Sequence, residues 1–310
     1  MNWEMLLFVP ALAVLLFSAR LFTRSAVLLG AWMRLPEFVI GIFIVGIGTS
    51  LPELISGVLA VLKGSSEIIP GNVIGANIAN LLMVTGFAVA INRKPITLGS
   101  SYINIDLHFM LGGFFVLFLI AHDGQITFSE GFFGLVIFVL YSVFLIRGGE
   151  ENPKASTDVS VTSFPKKAVA LLLGAAVGIY FGAEYTVRSI GAIAVALQIP
   201  PAIIALTVLS LGTTLPELVV NISAIRDGKA EMAIGNILGS CVFNTLVIPG
   251  VTSAVGVITV PVALVSFSLP VMGAAGIFFY LITQDKKISV WEGLMFVFIY
   301  LLFLMKTAVG

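Results

Sequence analysis

GTSLPEL at residues 48–54 returns as GTTLPEL at residues 212–218, and GNVIGANIAN at 71–80 returns as GNILGSCVFN at 235–244. Both pairs are offset by 164 positions, Pro36 and Pro200 share that offset, and no gap is needed across the stretch. Two independent motifs at one offset define an internal repeat.

The rest of the chain says what kind of repeat this is. Of 310 residues, 59% are hydrophobic and 10% charged, with 16 basic and 16 acidic side chains. Soluble domains carry about 25% charged residues, so this composition cannot clothe a water-facing surface. High hydrophobicity excludes a disordered chain. Balanced charge without a basic block argues against a nucleic-acid partner. The single cysteine, Cys241, has no partner for an internal disulfide. A membrane helix needs roughly 20 mostly apolar residues to cross roughly 30 Å of hydrocarbon. Apolar runs predict ten such helices, at 3–22, 36–62, 70–91, 105–121, 127–146, 167–187, 200–225, 233–257, 260–282 and 288–306. Residues 1–4 lack the basic start of a secretory signal, so the first span is expected to be retained. The expected fold is an all-α polytopic membrane protein: a first five-helix repeat over 1–146, a cytoplasmic linker over 147–165, and a second five-helix repeat over 166–310.

Five is odd, so the second half enters the membrane from the opposite side and the repeats are inverted. Inverted repeats characterise many secondary transporters, whose sites lie at midplane where the repeats meet. Basic residues concentrate in cytoplasmic loops. With the N-terminus outside, the odd-numbered loops hold 13 of the 16 Lys and Arg, leaving Lys63, Arg188 and Lys306 outside. Both termini are therefore expected outside the cell, in the plasma membrane.

Glu53 and Glu217 fall near the middle of long apolar runs. A charge at that depth costs roughly 2.5 kcal/mol or more, so intramembrane carboxylates almost always line a cavity or meet a partner. No Lys or Arg lies at comparable depth in any run, which points to bound cations or protons. Pro52 and Pro216 precede the glutamates and clash with the carbonyls of Gly48 and Gly212, so a break or kink is expected there. It would free carbonyls over Gly46–Thr49 and Ser210–Thr213, tolerated at this depth where they line a cavity. Thr49 and Thr213 share a helical face with the glutamates, and Ser50 and Thr214 add hydroxyls. Carboxylates, carbonyls and hydroxyls suit a hard cation such as Ca2+, which takes about six to eight oxygens. Gly71 and Gly75, like Gly235 and Gly239, have the spacing that lets helix backbones approach closely. Asn80 and Asn244 follow at matched positions, with Ala76 and Ser240 one turn earlier on the same faces. Glu37, Asp106, Glu130 and Glu292 lie near span starts, where water and the helix dipole tolerate them.

GTSLPE with GNVIGANIAN, then GTTLPE with GNILGSCVFN, resembles the two α-repeats of the sodium/calcium exchanger family within the Ca2+/cation antiporters. The resemblance implies that Glu53 and Glu217 are carboxylates contested by Ca2+ and Na+, with the carbonyls of Thr49 and Thr213 completing the calcium site. It implies flanking sodium sites from Ser50, Thr214 and Ser240 with the carbonyls of Gly46 and Ser210, and a central position lined by Asn80 and Asn244. Two positions depart from relatives: Asn244 replaces an aspartate found in some archaeal and potassium-dependent members, which favours potassium independence, and Ala76 replaces a serine. The expected function is electrogenic Na+/Ca2+ antiport by alternating access, with Ca2+ and Na+ as transported ions, no cofactor, the lipid bilayer as surroundings and a monomer sufficient. The alternatives are an H+/Ca2+ exchanger using the same glutamates and, further off, a cation channel. A membrane-embedded enzyme lacks support: there is no HExxH and no Ser/His pair.

Overall fold

The computed structural model describes residues 6–98, 103–148, 163–197 and 210–309. The expected linker lies almost wholly outside the described residues, as do Pro200 and the first part of the seventh apolar run. Helices dominate. In chain order they are α1 (Phe8–Trp32), α2 (Glu37–Leu62), α3 (Ile68–Asn92), α4 (Ile103–Ala121), α5 (Phe128–Gly148), α6 (Lys166–Ala196), α7 (Ser210–Arg226), α8 (Ala230–Ser253), α9 (Leu264–Asp285) and α10 (Val290–Val309). Eight of these are long and apolar enough to cross a membrane; α4 is apolar but shorter, and α7 is described from Ser210 onward.

The layers follow from burial. In α8, 94% of the most apolar window is buried, and in α3 78%, against 22% in α5 and 17% in α10. So α3 and α8, which hold the second motif of each repeat, form the centre, beside α2 and α7 with the first motif. Long α1 and α6 pack against each other along their length and against α7. Exposed Phe115, Phe132, Phe133, Phe181 and Phe298 face outward as a lipid-exposed surface requires, whereas Phe22, Phe38, Phe279 and Phe296 are buried.

Two short ladders tie the halves together. β1 (Ile96–Thr97) pairs antiparallel with β4 (Lys287–Ile288), and β2 (Gln125–Ile126) with β3 (Ile258–Thr259). Paired loops must lie on one side of the membrane, so an even number of crossings separates them. The expected ten-span layout meets this condition, with four helices, α5–α8, between β2 and β3 and six, α4–α9, between β1 and β4. The helices after β2 and β4 start alike: Glu130 accepts from the Thr127 N–H at 2.8 Å, and Glu292 from the Ser289 N–H at 2.6 Å. At Ser289 the Glu292 N–H returns a bond to Ser289 Oγ at 3.3 Å, which completes a capping box, whereas Thr127 Oγ1 donates to Glu130 at 2.7 Å.

The expected break at Pro52 is not what the structure contains. Helix α2 runs through Pro52, and the irregularity lies one turn upstream, as a π-helical stretch over Gly41–Gly46. Matching π-helical stretches occur in α3 over Ala79–Val84 and in α8 over Phe243–Val247, and these contain Asn80 and Asn244. Such turns are rare and concentrate at functional sites.

Close helix approach is realised at Gly235 and Gly239. A Cβ on Gly239 would lie 2.6 Å from Ile42 Cα, and one on Gly235 would lie 3.2 Å from Gly41 Cα. Asp106 departs from expectation. It is fully buried, facing the equally buried Tyr141 of α5, though no hydrogen bond of normal geometry joins them. Packing of α4 against α5, α8 and α9 covers the position that helix register alone placed near water.

Candidate ion site at the repeat interface

Glu53 on α2 is 7% exposed and Glu217 on α7 is 2% exposed. The helices that carry the two carboxylates pack against each other, although 164 residues separate the glutamates. Each keeps one Oε2 buried without a hydrogen-bond partner, and no Lys or Arg among the described residues forms an ion pair with either.

Other expected site residues lie on the helices that pack together here. Ser50 Oγ, both side-chain polar atoms of Asn80, and Asn244 Oδ1 are buried and unpartnered. So many unmet polar atoms are unusual, because buried polar atoms are normally satisfied. Thr214 is buried on α7 close to Glu217 in sequence. Ser210 and Thr213 stand in the first turn of α7; their side chains lie outside the described residues. Ser240 Oγ comes from α8 to 3.3 Å from the Gly46 carbonyl and 3.4 Å from Thr49 Oγ1, and Thr49 Oγ1 is itself 3.3 Å from that carbonyl. Thus Gly46, Thr49 and Ser240, drawn from both halves, converge. Among the described residues no group of three or more His, Cys, Asp or Glu forms a metal cluster. The candidate donors are a carboxylate pair with neutral oxygens.

Two residues of this neighbourhood escaped the sequence reading. Asn236 on α8 places Oδ1 3.3 Å from Thr49 Oγ1, and its Nδ2 donates to Asn221 Oδ1 at 3.0 Å. Asn221 is one turn beyond Glu217, a spacing that could have flagged it, but its repeat mate is Gly57, so the repeat gave no signal. Asn77 lies outside the ion cluster: its Nδ2 donates to Thr245 Oγ1 at 2.7 Å, bridging α3 and α8.

One face of the site is open. A cleft of about 360 Å³ starts at Glu53, passes Ser56 and Asn72, and ends at Lys63 and Ser65 in the turn between α2 and α3. The opposite end is tied by ion pairs. Lys229 pairs with Glu37, and Arg24 Nε lies 3.9 Å from Asp227.

The sequence matches the family profile described as sodium/calcium exchanger protein over residues 3–147 and 167–307. The chain belongs to the sodium/calcium exchanger family. Relatives of this exchanger family member span nearly its whole length. It is 28% identical to the sodium/calcium exchanger MaX1 of Methanosarcina acetivorans, over 96% of this chain and 97% of the relative. It is 30% identical to the inner membrane protein YrbG of Escherichia coli, over 80% and 79%. The fold matches the solved sodium-calcium exchanger NCX_Mj with a TM-score of 0.82 at 26% identity, covering 97% of this chain and 98% of that one. The chain is thus a helical membrane protein of a cation/Ca2+ exchanger family, and its relatives are exchangers and membrane proteins rather than enzymes.

Proposed function

We propose that this exchanger moves Ca2+ against Na+ by alternating access, through a site shared by Glu53 and Glu217. The observation that carries the reading is the pair of buried carboxylates from opposite halves, each with an unmet oxygen and neither neutralised by a described basic side chain. An empty dianion at this depth resists the switch between outward- and inward-facing states. One Ca2+, or several Na+, neutralises it and lowers the barrier. Mutual exclusion follows because both ions need the same oxygens. In this assignment the carbonyls of Thr49 and Thr213 complete the calcium position. Asn80 and Asn244 line the centre, and Ser50, Thr214 and Ser240 with the carbonyls of Gly46 and Ser210 hold Na+ on either side.

The ten-span, two-half layout, with residues 147–165 as a cytoplasmic linker and both termini outside, belongs to the same proposal. The ion pairs support it, since Arg24, Glu37, Asp227 and Lys229 all belong to the predicted cytoplasmic ends. On that orientation the cleft at Lys63 opens outward, and the structure corresponds to an outward-facing state. Asn244 leaves two carboxylates rather than three, which favours potassium independence. Exchange with surplus Na+ charge would draw on membrane voltage, about 2.3 kcal/mol per charge at 100 mV.

The test is radioactive calcium uptake into sodium-loaded liposomes with pH clamped. Uptake should require the sodium gradient, follow an imposed voltage and ignore added K+. Uptake driven by a pH gradient and indifferent to sodium would replace this reading with H+/Ca2+ exchange. Downhill flux needing no counter-ion would make the protein a channel.

A further inference from the structure

We propose that Asn236 is itself a sodium ligand, and that Asn221 is the positioning residue that turns its amide oxygen toward the ion. The proposal deepens the reading above and rests on it.

Several distances between α2 and α8 do not suit hydrogen bonds. Four oxygens from α2 and α8 crowd together: the Gly46 carbonyl, Thr49 Oγ1, Ser240 Oγ and Asn236 Oδ1. Five contacts among them measure 3.3, 3.3, 3.4, 3.3 and 3.5 Å. Hydroxyl hydrogen bonds are normally about 2.5–3.0 Å. This protein makes such bonds elsewhere: Thr245 to the Cys241 carbonyl at 2.7 Å, Thr252 to Ile248 at 2.6 Å and Thr283 to Phe279 at 2.8 Å. The cluster is also short of protons. Its hydroxyls, on Thr49 and Ser240, bring one hydrogen each, fewer than the contacts they would have to fill.

The same spacing is what a cation imposes. Oxygens bound to Ca2+ at about 2.3–2.6 Å sit about 3.3–3.7 Å apart along the edges of an octahedron, and Na+ has nearly the same radius. The four groups are buried, with Thr49 4%, Asn236 1% and Ser240 0% exposed. All four donors are neutral, which matches a monovalent ion and leaves the divalent one to the glutamates.

Asn221 decides which end of the Asn236 amide faces the cage. Its Oδ1 accepts from Asn236 Nδ2 at 3.0 Å, so the opposite atom, Oδ1, points at the two hydroxyls. Asn221 is fully buried and its own Nδ2 has no partner, so its acceptor oxygen is what the arrangement uses. The mirrored cage cannot form in the first half: the mates of Asn236, Ser240 and Asn221 are Asn72, Ala76 and Gly57. The cage is therefore a property of one side of the site.

The experiment is thermal unfolding of purified protein titrated with Na+ alone, choline holding ionic strength, beside the liposome assay. Asn221→Leu and Asn221→Gly, the latter copying Gly57, should raise the sodium midpoint about three- to ten-fold, the worth of one positioning hydrogen bond. The Ca2+ midpoint should move less than about two-fold. Asn221→Gln keeps a neutral amide acceptor and should give a sodium midpoint closer to wild type than either the Leu or the Gly variant. Sodium midpoints unchanged in both Leu and Gly variants, or sodium and calcium midpoints shifting by one common factor, would overturn the proposal. Failure of the exchange reading shows separately, as wild-type liposomes whose calcium uptake ignores sodium.

Discussion

If Glu53 and Glu217 share an ion as proposed, opposite signs are expected for two measurements on one variant. Glu217→Gln removes a charge that Ca2+ needs. Breaking a buried ionic contact by deleting one partner costs about 3–5 kcal/mol, so the calcium half-saturation should rise roughly a hundred-fold or more in liposome flux. The same substitution relieves a buried dianion, so the ion-free protein should melt at a higher temperature than wild type. A variant that loses flux and also loses ion-free stability would mean that Glu217 is structural. Ala76→Ser tests the other end of the ligand list. It places a hydroxyl at the mate of Ser240 and should lower the sodium half-saturation about two- to five-fold in the same flux assay, within the worth of one added hydrogen-bond-strength contact. The glutamates were legible in the sequence because a carboxylate within an apolar run has few tolerable explanations, and because the 164-residue offset repeats it. Asn236 was legible as part of a motif but not as a neighbour of Thr49, and Asn221 only through its one-turn spacing from Glu217, since its mate is glycine. Asp106 was misplaced because its distance from a helix end says nothing about which neighbours cover it.

Helices α2 and α8 cross so closely that side chains cannot intervene, and this contact brings Ser240 to Gly46. Gly239→Ala would place a Cβ 2.6 Å from Ile42 Cα and 2.8 Å from its carbonyl oxygen, both backbone atoms that cannot yield cheaply. We expect a loss of about 1–3 kcal/mol, read as reduced folded fraction after heating in detergent. Gly273→Ala on α9, where the added Cβ meets nothing within 4 Å, should show no loss. The π-helical stretches were not legible in the sequence. Proline announced an irregularity near residue 52, but the widened turn lies upstream over Gly41–Gly46, where α2 packs on α8 and no local sequence pattern marks it. The helix starts at Thr127 and Ser289 could be read directly, because one short local pattern satisfies the first turn without help from the rest of the protein.

At the scale of the molecule, the halves are held by strand pairing as well as by helix packing. A variant with Thr97→Cys and Lys287→Cys, made in a Cys241→Ser background, should form a disulfide on mild oxidation, since these positions are paired in the β1–β4 ladder. After cutting at a protease site engineered into 147–165, the two fragments should stay together on a non-reducing gel. Gln125→Cys with Lys287→Cys joins strands of different ladders and should not. Cross-linking in the second variant and not the first would place the loops on the wrong sides of the membrane. The loop pairing itself was invisible in the sequence, where two-residue strands have no periodicity to betray them.

The ladders have an ancestry written into them. Strand β1 resembles β3 and β2 resembles β4 at a shared spacing of 162 residues, and exchanging the halves turns the pair Ile96 with Ile288 into the pair Ile258 with Ile126. Nothing in either ladder distinguishes a partner on the same polypeptide from one on another. A lone five-helix ancestor meeting an upside-down twin could have knitted both seams with a single sequence, before any linker made the union permanent.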